Sequence, residues 1–206
     1  MLAQNDQPVV VVVAGPNGAG KTTIAREVLA STLGIAEFVN ADVIASGLSG
    51  FNPESAAFPA GRVMLTRIKE LAALRASFAF ESTLASRTFA PWLKESKDAG
   101  YSVHIVYVML ESADLAVRRV RARVLSGGHA IPEDTVRRRF GRSAANFISM
   151  YMPLADTWIV LDNSRAAPRL VAAKTSQSGP NISRLRLWNR LEEIAGGGTT
   201  DQRAEA

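Results

Sequence analysis

The sequence predicts an α/β fold, a three-layer sandwich in which helices cover both faces of a mostly parallel sheet of five strands. The run Val9–Val13 has the composition of a strand buried on both faces, because β-branched side chains are stiff and pack well on a pleated surface. Further apolar runs alternate with segments of helical periodicity, which is typical of parallel sheets with right-handed crossovers. The 206 residues, of which 47% are hydrophobic, suffice for one well-packed domain.

Most of the predicted strands are short apolar runs whose polar residues lie at the carboxyl end. After the valine run, the predicted strands are Phe38–Asp42, Phe78–Thr83, Val103–Leu110 and Trp158–Asp162. In a parallel sheet, ligands bind beyond the carboxyl ends of the strands. Gly15, Asp42, Glu81 and Thr83 all fall at these ends, so we expect them to contribute to one site.

The predicted helices carry apolar residues at helical spacing, and glycine residues follow several of them. They are Lys21–Thr32, Ala60–Arg75, Thr88–Ala99, Ala113–Leu125, Pro132–Met150 and Ile182–Ile194. The segments Gly47–Pro53 and Thr175–Asn181 are rich in Gly, Ser, Asn and Pro and are predicted as loops. Residues 1–7 and 196–206 are predicted to be disordered, which leaves a single domain over residues 8–195.

The valine strand runs directly into a segment with the spacing of a phosphate-binding loop. Gly15, four further residues, Gly20, Lys21 and Thr22 fit the P-loop pattern. Glycine residues permit left-handed backbone and leave the amides open to a phosphate, and the dipole of the following helix favours negative charge. Lys21 is expected to reach the outer phosphates of ATP, and the Thr22 hydroxyl to bind Mg²⁺. The expected nucleotide-binding residues are Gly15, Pro16, Asn17, Gly18, Ala19, Gly20, Lys21, Thr22 and Thr23.

The composition excludes other classes of site. The chain has no cysteine and two histidines, His104 and His129, so disulfides and thiolate metal sites are excluded and a histidine zinc site is disfavoured. Any metal is expected to be Mg²⁺ that enters with the nucleotide. The first seven residues carry no basic segment, and the apolar run that follows is far shorter than a bilayer. We therefore expect a cytoplasmic protein without membrane contact.

The formal charge of +5 is concentrated in one segment. Residues 118–142 contain eight arginines and two acidic residues, which leaves a charge of about −1 for the remainder. We interpret this segment as part of an arginine-rich helical lid over residues 113–150. Gly127 and Gly128 join its two helices, and with little apolar surface to anchor them these helices are expected to close over bound nucleotide.

The lid arginines have two possible roles. Arg119 and Arg123 share one helix face, and together with Arg138, Arg139 and Arg142 they could surround a transferring phosphoryl group. A solvated basic face would have a similar composition, but it usually includes lysines, and this segment has none. The planar fork of arginine also suits phosphate better. At least one lid arginine is therefore expected at the active site.

The acidic candidates leave several roles open. Asp42 could act as a general base that takes the proton of an attacking alcohol, or as a ligand in the metal shell, or it could cap a helix. Glu81 and Thr83 are two residues apart, so in an extended chain they face one side of the sheet and could bind one polar ligand. A buried ion pair between Glu81 and an arginine is the alternative.

The motifs described above, taken in their order along the chain, resemble those of the zeta toxin-like predicted kinases. The resemblance covers roughly Val9–Pro168 and is carried by Ala14–Thr23, Asn40–Asp42, Phe80–Leu84, Arg119 with Arg123, Gly127–Pro132, and Arg138–Arg139 through Arg142 to Asn146. It implies a P-loop kinase-like fold. Zeta toxins phosphorylate a hydroxyl of UDP-N-acetylglucosamine, and such proteins are partnered by an antitoxin, for which no binding segment can be identified in this sequence.

Carried over to this chain, the resemblance implies a role for each candidate residue. Asp42 is the implied base, and Glu81 and Thr83 are the implied contacts to the sugar nucleotide. The implied charge stabilisers, together with Lys21, are Arg119, Arg123, Arg139 and Arg142. The chain departs from the larger zeta toxins in its shorter length and its Gly-Gly-His lid.

The resulting hypothesis is an ATP- and Mg²⁺-dependent phosphotransferase acting on a hydroxyl of a small acceptor such as UDP-N-acetylglucosamine. One alternative is a nucleotide-binding ATPase or regulator that has no acceptor. Another is a polynucleotide kinase or nucleic-acid-binding protein, which the sequence pI near 10.0 favours. The chain has no aromatic–basic strand motif for stacking bases and its charge is local, so a nucleic-acid partner is not expected.

Overall fold

The computed structural model describes residues 7–28, 35–126, 128 and 130–200. Its strands are β1 (Val9–Ala14), β2 (Glu37–Val39), β3 (Phe78–Ser82), β4 (Ser102–Met109), β5 (Thr157–Asp162), β6 (Arg169–Lys174) and β7 (Asn181–Ile182). They form one sheet in the order β2-β3-β1-β4-β5-β6-β7. The first five strands are parallel, and β6 and β7 join them antiparallel. This confirms the predicted mostly parallel α/β fold.

The helices alternate with the parallel strands. They are α1 (Lys21–Val28), α2 (Ala41–Leu48), α3 (Ala57–Ala73), α4 (Phe89–Asp98), α5 (Ala113–Leu125), α6 (Glu133–Asn146), α7 (Met152–Leu154) and α8 (Leu185–Thr200). A 3₁₀ turn, Pro53–Ala56, precedes α3, and a π-helical turn, Phe147–Tyr151, follows α6. The helix predicted over Ala113–Leu125 has these bounds in the structure.

The sheet has seven strands and not the predicted five. The two strands that the sequence did not predict, β6 and β7, lie beyond β5 at the edge of the sheet. The sequence of β6 is Arg-Leu-Val-Ala-Ala-Lys. Because alanine has a low strand propensity, this sequence does not predict a strand. β7 is only two residues long and falls at the end of the predicted loop Thr175–Asn181.

The predicted strand Phe38–Asp42 is wrong at its carboxyl end. β2 stops at Val39, and α2, which the sequence did not predict, begins at Ala41. The Asn40 side chain accepts hydrogen bonds from the backbone amides of Asp42 and Val43, which is the geometry of a helix N-cap. Asp42 therefore lies in the first turn of a helix. The loop predicted from Gly47 is also shorter, because α2 extends to Leu48.

The chain termini differ from the prediction in part. α8 continues to Thr200, so the predicted disorder is wrong for residues 196–200. Residues 1–6 and 201–206 lie outside the described residues, as do residues 29–34, where the first helix was predicted to end. The predicted helix Pro132–Met150 begins one residue later and changes to π-helical geometry after Asn146.

The core lies on both faces of β1, as the valine run predicts. Val10 and Val12 pack in one apolar cluster with Phe78 and Phe80, whereas Val11 and Val13 pack in a second cluster on the opposite face. All four valines are buried. β1 is thus an inner strand, buried on both faces, directly before the loop that follows it.

The arginine-rich helices also contribute to the core. Val117 and Val120 of α5 and Val136 and Phe140 of α6 are buried in the second apolar cluster. The expectation that these helices have little apolar surface to anchor them is therefore wrong. Over the described ranges, no helix is both long enough and apolar enough to cross a membrane.

Candidate active site

The glycine-rich loop packs too closely against its neighbours to accept side chains. Gly15, Gly18 and Gly20 have φ angles of 138°, 76° and 82°, which L side chains rarely adopt. A Cβ at Gly15 would lie 2.1 Å from the carbonyl oxygen of Val108, and one at Gly18 would lie 2.7 Å from that of Ala116. The loop is therefore held between β4 and α5, with backbone geometry that only glycine provides.

Lys21 is buried at the start of α1. Its Nζ donates a hydrogen bond to the carbonyl oxygen of Pro16 at 3.0 Å and lies 3.6 Å from Oε1 of Glu81. Burial lowers the pKa of Lys21, and the negative charge of Glu81 opposes this shift. Lys21 is thus directed back over the loop, toward the carbonyl oxygen of Pro16.

Glu81, Thr22 and Asn40 form one hydrogen-bonded group. Thr22 Oγ1 donates to Glu81 Oε2 at 2.7 Å, and Asn40 Nδ2 donates to the same oxygen at 2.8 Å. The buried partner of Glu81 is therefore the loop lysine, and the alternative of an arginine partner is wrong. No function was predicted for Asn40 itself from the sequence. An asparagine directly before a helix is a typical N-cap residue, and this pattern is the signal that could have identified its role.

Asp42 faces the lid. Its Oδ2 lies 3.5 Å from Nη1 of Arg123, and the side chains of Arg123 and Asp42 are 42% and 54% exposed. The helix-capping role that was open for Asp42 belongs instead to Asn40. The Asp42 carboxylate is therefore half-exposed and lies beside the guanidinium of Arg123.

A cavity of about 670 Å³ joins these residues. Its walls come from the P-loop, from the carboxyl ends of β2 and β3, and from α6. Among the predicted site residues, the cavity brings together Asn17, Gly18, Lys21, Asp42, Glu81, Thr83, Arg123, Arg139 and Arg142. Arg138, one of the arginines predicted to surround the phosphoryl group, also lines it. Asn40 and Glu54 line it too, although neither was predicted as a site residue from its type.

Arg119 lies elsewhere. It does not line the cavity, and its Nη2 donates to the carbonyl oxygen of Ser164 at 3.3 Å. Its Cβ is the side-chain atom nearest to the position that a Cβ on Gly18 would take. Arg119 and Arg123 are four residues apart on α5, but their side chains have different neighbours. Arg119 lies beside the P-loop, and Arg123 lies beside Asp42.

Apart from the exposed Arg118, the remaining lid arginines divide into two groups. Arg121 pairs with Glu133 at 2.5 Å, and Arg137 pairs with Asp114 at 2.7 Å and with Glu133 at 2.8 Å. The Arg121–Glu133 and Arg137–Asp114 pairs connect α5 to α6, whereas the Arg137–Glu133 pair lies within α6. Arg138, Arg139 and Arg142 instead line the cavity. The basic segment is therefore not a uniform solvated face, since one group of arginines joins the helices and the other faces the cavity.

The anchoring of α5 and α6 limits the part of the lid that can move. Bound nucleotide is expected to slow amide hydrogen exchange mainly between Arg121 and Thr135, the tip of the hairpin. Exchange around the buried Val117 and Phe140 should be slow with or without nucleotide. The measurement is hydrogen exchange by mass spectrometry with a non-hydrolysable ATP analogue, and unchanged exchange at the tip would contradict lid closure.

Gly128 has a packing role at this tip. Its amide donates to the carbonyl oxygen of Arg123 at 2.9 Å, and an added Cβ would lie 2.6 Å from Cγ of that arginine. Gly128 thus allows the chain to fold closely against the end of α5. Gly127 and His129, the other two residues of the Gly-Gly-His motif, lie outside the described residues.

Comparison with known proteins identifies the family. The AAA_33 family, described as an AAA domain, matches residues 10–147, from β1 to the end of α6. The chain belongs to this AAA domain family. An uncharacterized protein of Haemophilus influenzae is 32% identical over 126 residues, which are 61% of this chain and 88% of that protein.

Solved structures share the fold. A chain of the AvrRxo1-ORF1:AvrRxo1-ORF2 complex has a TM-score of 0.74 and 17% identity over 92% of this chain. This chain spans only 64% of the length of that chain. A chain of the PezAT toxin–antitoxin system of Streptococcus pneumoniae has a TM-score of 0.59 and 15% identity, over 100% of this chain and 92% of that one. The chain therefore has a P-loop kinase-like α/β fold.

Proposed function

We propose that the protein is an ATP- and Mg²⁺-dependent phosphotransferase that transfers phosphate to a hydroxyl of a small acceptor, like the zeta toxin-like kinases. One observation carries the proposal. A single cavity of about 670 Å³ holds the P-loop lysine, the Asp42 carboxylate and a group of arginines. A cavity of this total volume could hold an acceptor in addition to the terminal phosphates of a nucleotide. A regulator that only binds nucleotide has no need of such a space.

The nucleotide side of the proposed site consists of the P-loop, Gly15–Thr23. Its backbone amides would bind the phosphates, and the Lys21 ammonium would contact the outer ones. The residues also fit Mg²⁺, because the Thr22 hydroxyl donates its proton to Glu81 and keeps an oxygen lone pair for a cation. When bound, Mg²⁺ would neutralise part of the phosphate charge. Arg119, whose Cβ lies beside Gly18, would approach a nucleotide bound at the loop.

Residues on the acceptor side of the cavity would take part in the phosphate transfer itself. Asp42 would take the proton of the acceptor hydroxyl as its oxygen bonds to the γ-phosphorus, while the bond from that phosphorus to the ADP oxygen breaks. Arg123, Arg139 and Arg142 would stabilise the charge on the transferring group. The resemblance to zeta toxin-like kinases assigns Glu81 and Thr83 to the acceptor, and both line the cavity.

The resemblance and the structural neighbours support the proposed acceptor and partner. The resemblance points to UDP-N-acetylglucosamine or a related nucleotide sugar as the acceptor. The structural neighbours include AvrRxo1-ORF1:-ORF2, which has also been solved with ATP, and the PezAT toxin–antitoxin system. We therefore include ATP as the nucleotide and a protein partner of the antitoxin kind in the proposal. Action in the cytoplasm, which we expect from the sequence, is also part of the proposal.

A second candidate function is phosphate transfer to the end of a polynucleotide. A chain of the Pnkp1/Rnl/Hen1 RNA repair complex shares the fold, with a TM-score of 0.54 and 17% identity. The sequence pI near 10.0 also favours this candidate. Against it, Arg121 and Arg137 are engaged in ion pairs at the surface, which reduces the charge available to a nucleic acid.

An assay of ADP release tests these candidates together. The proposed kinase should release ADP faster when UDP-N-acetylglucosamine or fractions of a metabolite extract are added. Stimulation by oligonucleotides, with binding that weakens steeply as salt rises, would favour the second candidate. ATP turnover that no acceptor stimulates would contradict both and indicate a plain ATPase.

A further inference from the structure

The turn that follows β5 lies against the glycine-rich loop. Nδ2 of Asn163 donates a hydrogen bond to the carbonyl oxygen of Ala19 at 2.8 Å. A Cβ added to Gly20 would lie 2.6 Å from the same nitrogen, so the Asn163 side chain packs directly on the Ala19–Gly20 peptide. Ala19 and Asn163 are 144 positions apart in the sequence, and Asn163 was not among the predicted site residues. The contact joins the last parallel strand to the loop that is proposed to hold the phosphates.

Hydrogen bonds fix the backbone around Asn163. Its amide donates to the carbonyl oxygen of Met109 at 3.1 Å, at the end of β4. Oγ of the next residue, Ser164, accepts from the amide of Glu111 at 2.8 Å and donates to the carboxylate of Asp162. Asp162 is fully buried at the end of β5. The turn that carries Asn163 is therefore anchored to two strands of the sheet, and its side chain can hold a neighbouring group in a defined place.

The direction of the Ala19–Gly20 peptide decides what this part of the loop offers to an anion. In a trans peptide the carbonyl and the N–H point in opposite directions. Because the Ala19 carbonyl points to Asn163, the Gly20 N–H points away from the turn after β5. An N–H in the loop binds phosphate, whereas a carbonyl oxygen in its place would repel it. Gly20 has a φ angle of 82° and no Cβ, so without a further restraint this peptide could turn over at little cost.

We propose that Asn163 is a positioning residue of the nucleotide site, which holds the Ala19–Gly20 peptide so that the Gly20 N–H faces the phosphates of the nucleotide. This inference rests on the nucleotide site of the proposed function and extends that site to the turn after β5. Asn163 acts through the loop and does not touch the ligand. Loop amides contact the α- and β-phosphates, which ADP and ATP share. Loss of the Asn163 side chain should therefore weaken the binding of both nucleotides to the same extent.

The test is nucleotide affinity, measured by calorimetry with Mg-ADP and with the Mg²⁺ complex of a non-hydrolysable ATP analogue. Asn163→Ala removes the donor and leaves the Ala19 carbonyl without its partner, so both affinities should fall by about tenfold, the value of one such hydrogen bond. Asn163→Asp keeps the shape but places a carboxylate against the carbonyl oxygen, so its affinities should fall at least as far. Wild-type affinities in either variant would contradict the proposal.

The amide resonance of Gly20 reports the direction of the peptide itself. In wild type, saturating Mg-ADP should move this resonance strongly downfield, because the N–H enters a charge-assisted hydrogen bond with phosphate. The same shift should be clearly smaller in Asn163→Ala. A merely structural role for Asn163 predicts a lower melting temperature, with the Gly20 shift and both affinities equal to those of wild type. That result would overturn the proposal.

Asn189→Asp is the control for the change of charge. Asn189 is an exposed residue of α8 that does not line the cavity, so both affinities should stay at wild-type values. Thermal unfolding of the nucleotide-free proteins verifies that the variants fold, and either folded Asn163 variant suffices for the comparison.

None of these measurements needs an acceptor, so the inference and the proposed function can fail separately. If the ADP-release assay finds no acceptor but Asn163→Ala loses affinity, the kinase proposal is wrong and the role of Asn163 stands. If an acceptor is found but Asn163→Ala binds both nucleotides as wild type does, the kinase stands and the role of Asn163 is wrong.

Discussion

Lys21→Ala is expected to reduce nucleotide turnover by at least about 10³-fold. The variant removes the cation expected at the outer phosphates. It also leaves Glu81 buried without its ion-pair partner, directly beside the position of a bound triphosphate. Both changes disfavour the charge that develops in the transition state. Nucleotide affinity should fall as well, and calorimetry with an ATP analogue measures that part separately.

Lys69→Ala is the matched control for this substitution. Lys69 is an exposed lysine on α3, outside the cavity, and its removal should leave turnover and nucleotide affinity at wild-type values. Circular dichroism and thermal unfolding should show that Lys21→Ala remains folded. Wild-type turnover by a folded Lys21→Ala protein would show that the P-loop lysine is not needed for nucleotide turnover, which would contradict the proposed mechanism.

Asp42→Asn is expected to slow phosphate transfer by roughly 10²–10⁴-fold, the usual contribution of a general base. The substitution keeps the shape of the side chain and its place in the first turn of α2, but it removes the basic lone pair. Affinity for Mg-ATP should change little, because the P-loop, Lys21 and Thr22 supply that binding. Loss of a metal ligand would instead weaken Mg-ATP binding, and excess Mg²⁺ would partly restore it.

Asp114→Asn provides the control for Asp42→Asn. Asp114 also lies in the first turn of a helix and pairs with an arginine, Arg137, but it does not line the cavity. Its neutralisation should affect neither affinity nor transfer by more than about twofold, because exposed ion pairs contribute little. A coupled assay and calorimetry on both variants give the comparison. Transfer at the wild-type rate by Asp42→Asn would show that Asp42 is neither base nor essential ligand.

Local features of the fold were readable from the sequence because short segments determine them. The valine run predicts β1, the spacing of Gly15, Gly20 and Lys21 predicts the loop, and the helical period over Ala113–Leu125 predicts α5. Each of these depends on residues within about four turns of helix or one strand. The prediction of the strand Phe38–Asp42 was wrong at its carboxyl end because it also relied only on a short segment. An apolar run favours a strand until a capping side chain, here Asn40, redirects the backbone into a helix.

The contacts that define the candidate site depend on sheet order, which the sequence does not reveal. Glu81 meets Lys21 and Thr22 because β3 lies directly beside β1, with Glu81 opposite Val13. Arg119 and Arg123 have the same residue type and helix face, yet only Arg123 reaches Asp42. The separation of the lid arginines into ion-paired and cavity-lining groups likewise requires the packing of α5 against α6. Residue type predicts which chemistry is available, whereas topology decides which residues take part.

The most direct test of the proposed phosphotransfer uses ATP labelled in its terminal phosphate, incubated with the protein, Mg²⁺ and either UDP-N-acetylglucosamine or a metabolite extract. Mass spectrometry then identifies the molecules that carry the label. We expect a phosphorylated hydroxyl compound to accumulate in step with ADP, and to be absent with Lys21→Ala. Label found only in inorganic phosphate, at a rate that no extract changes, would contradict phosphate transfer to an acceptor.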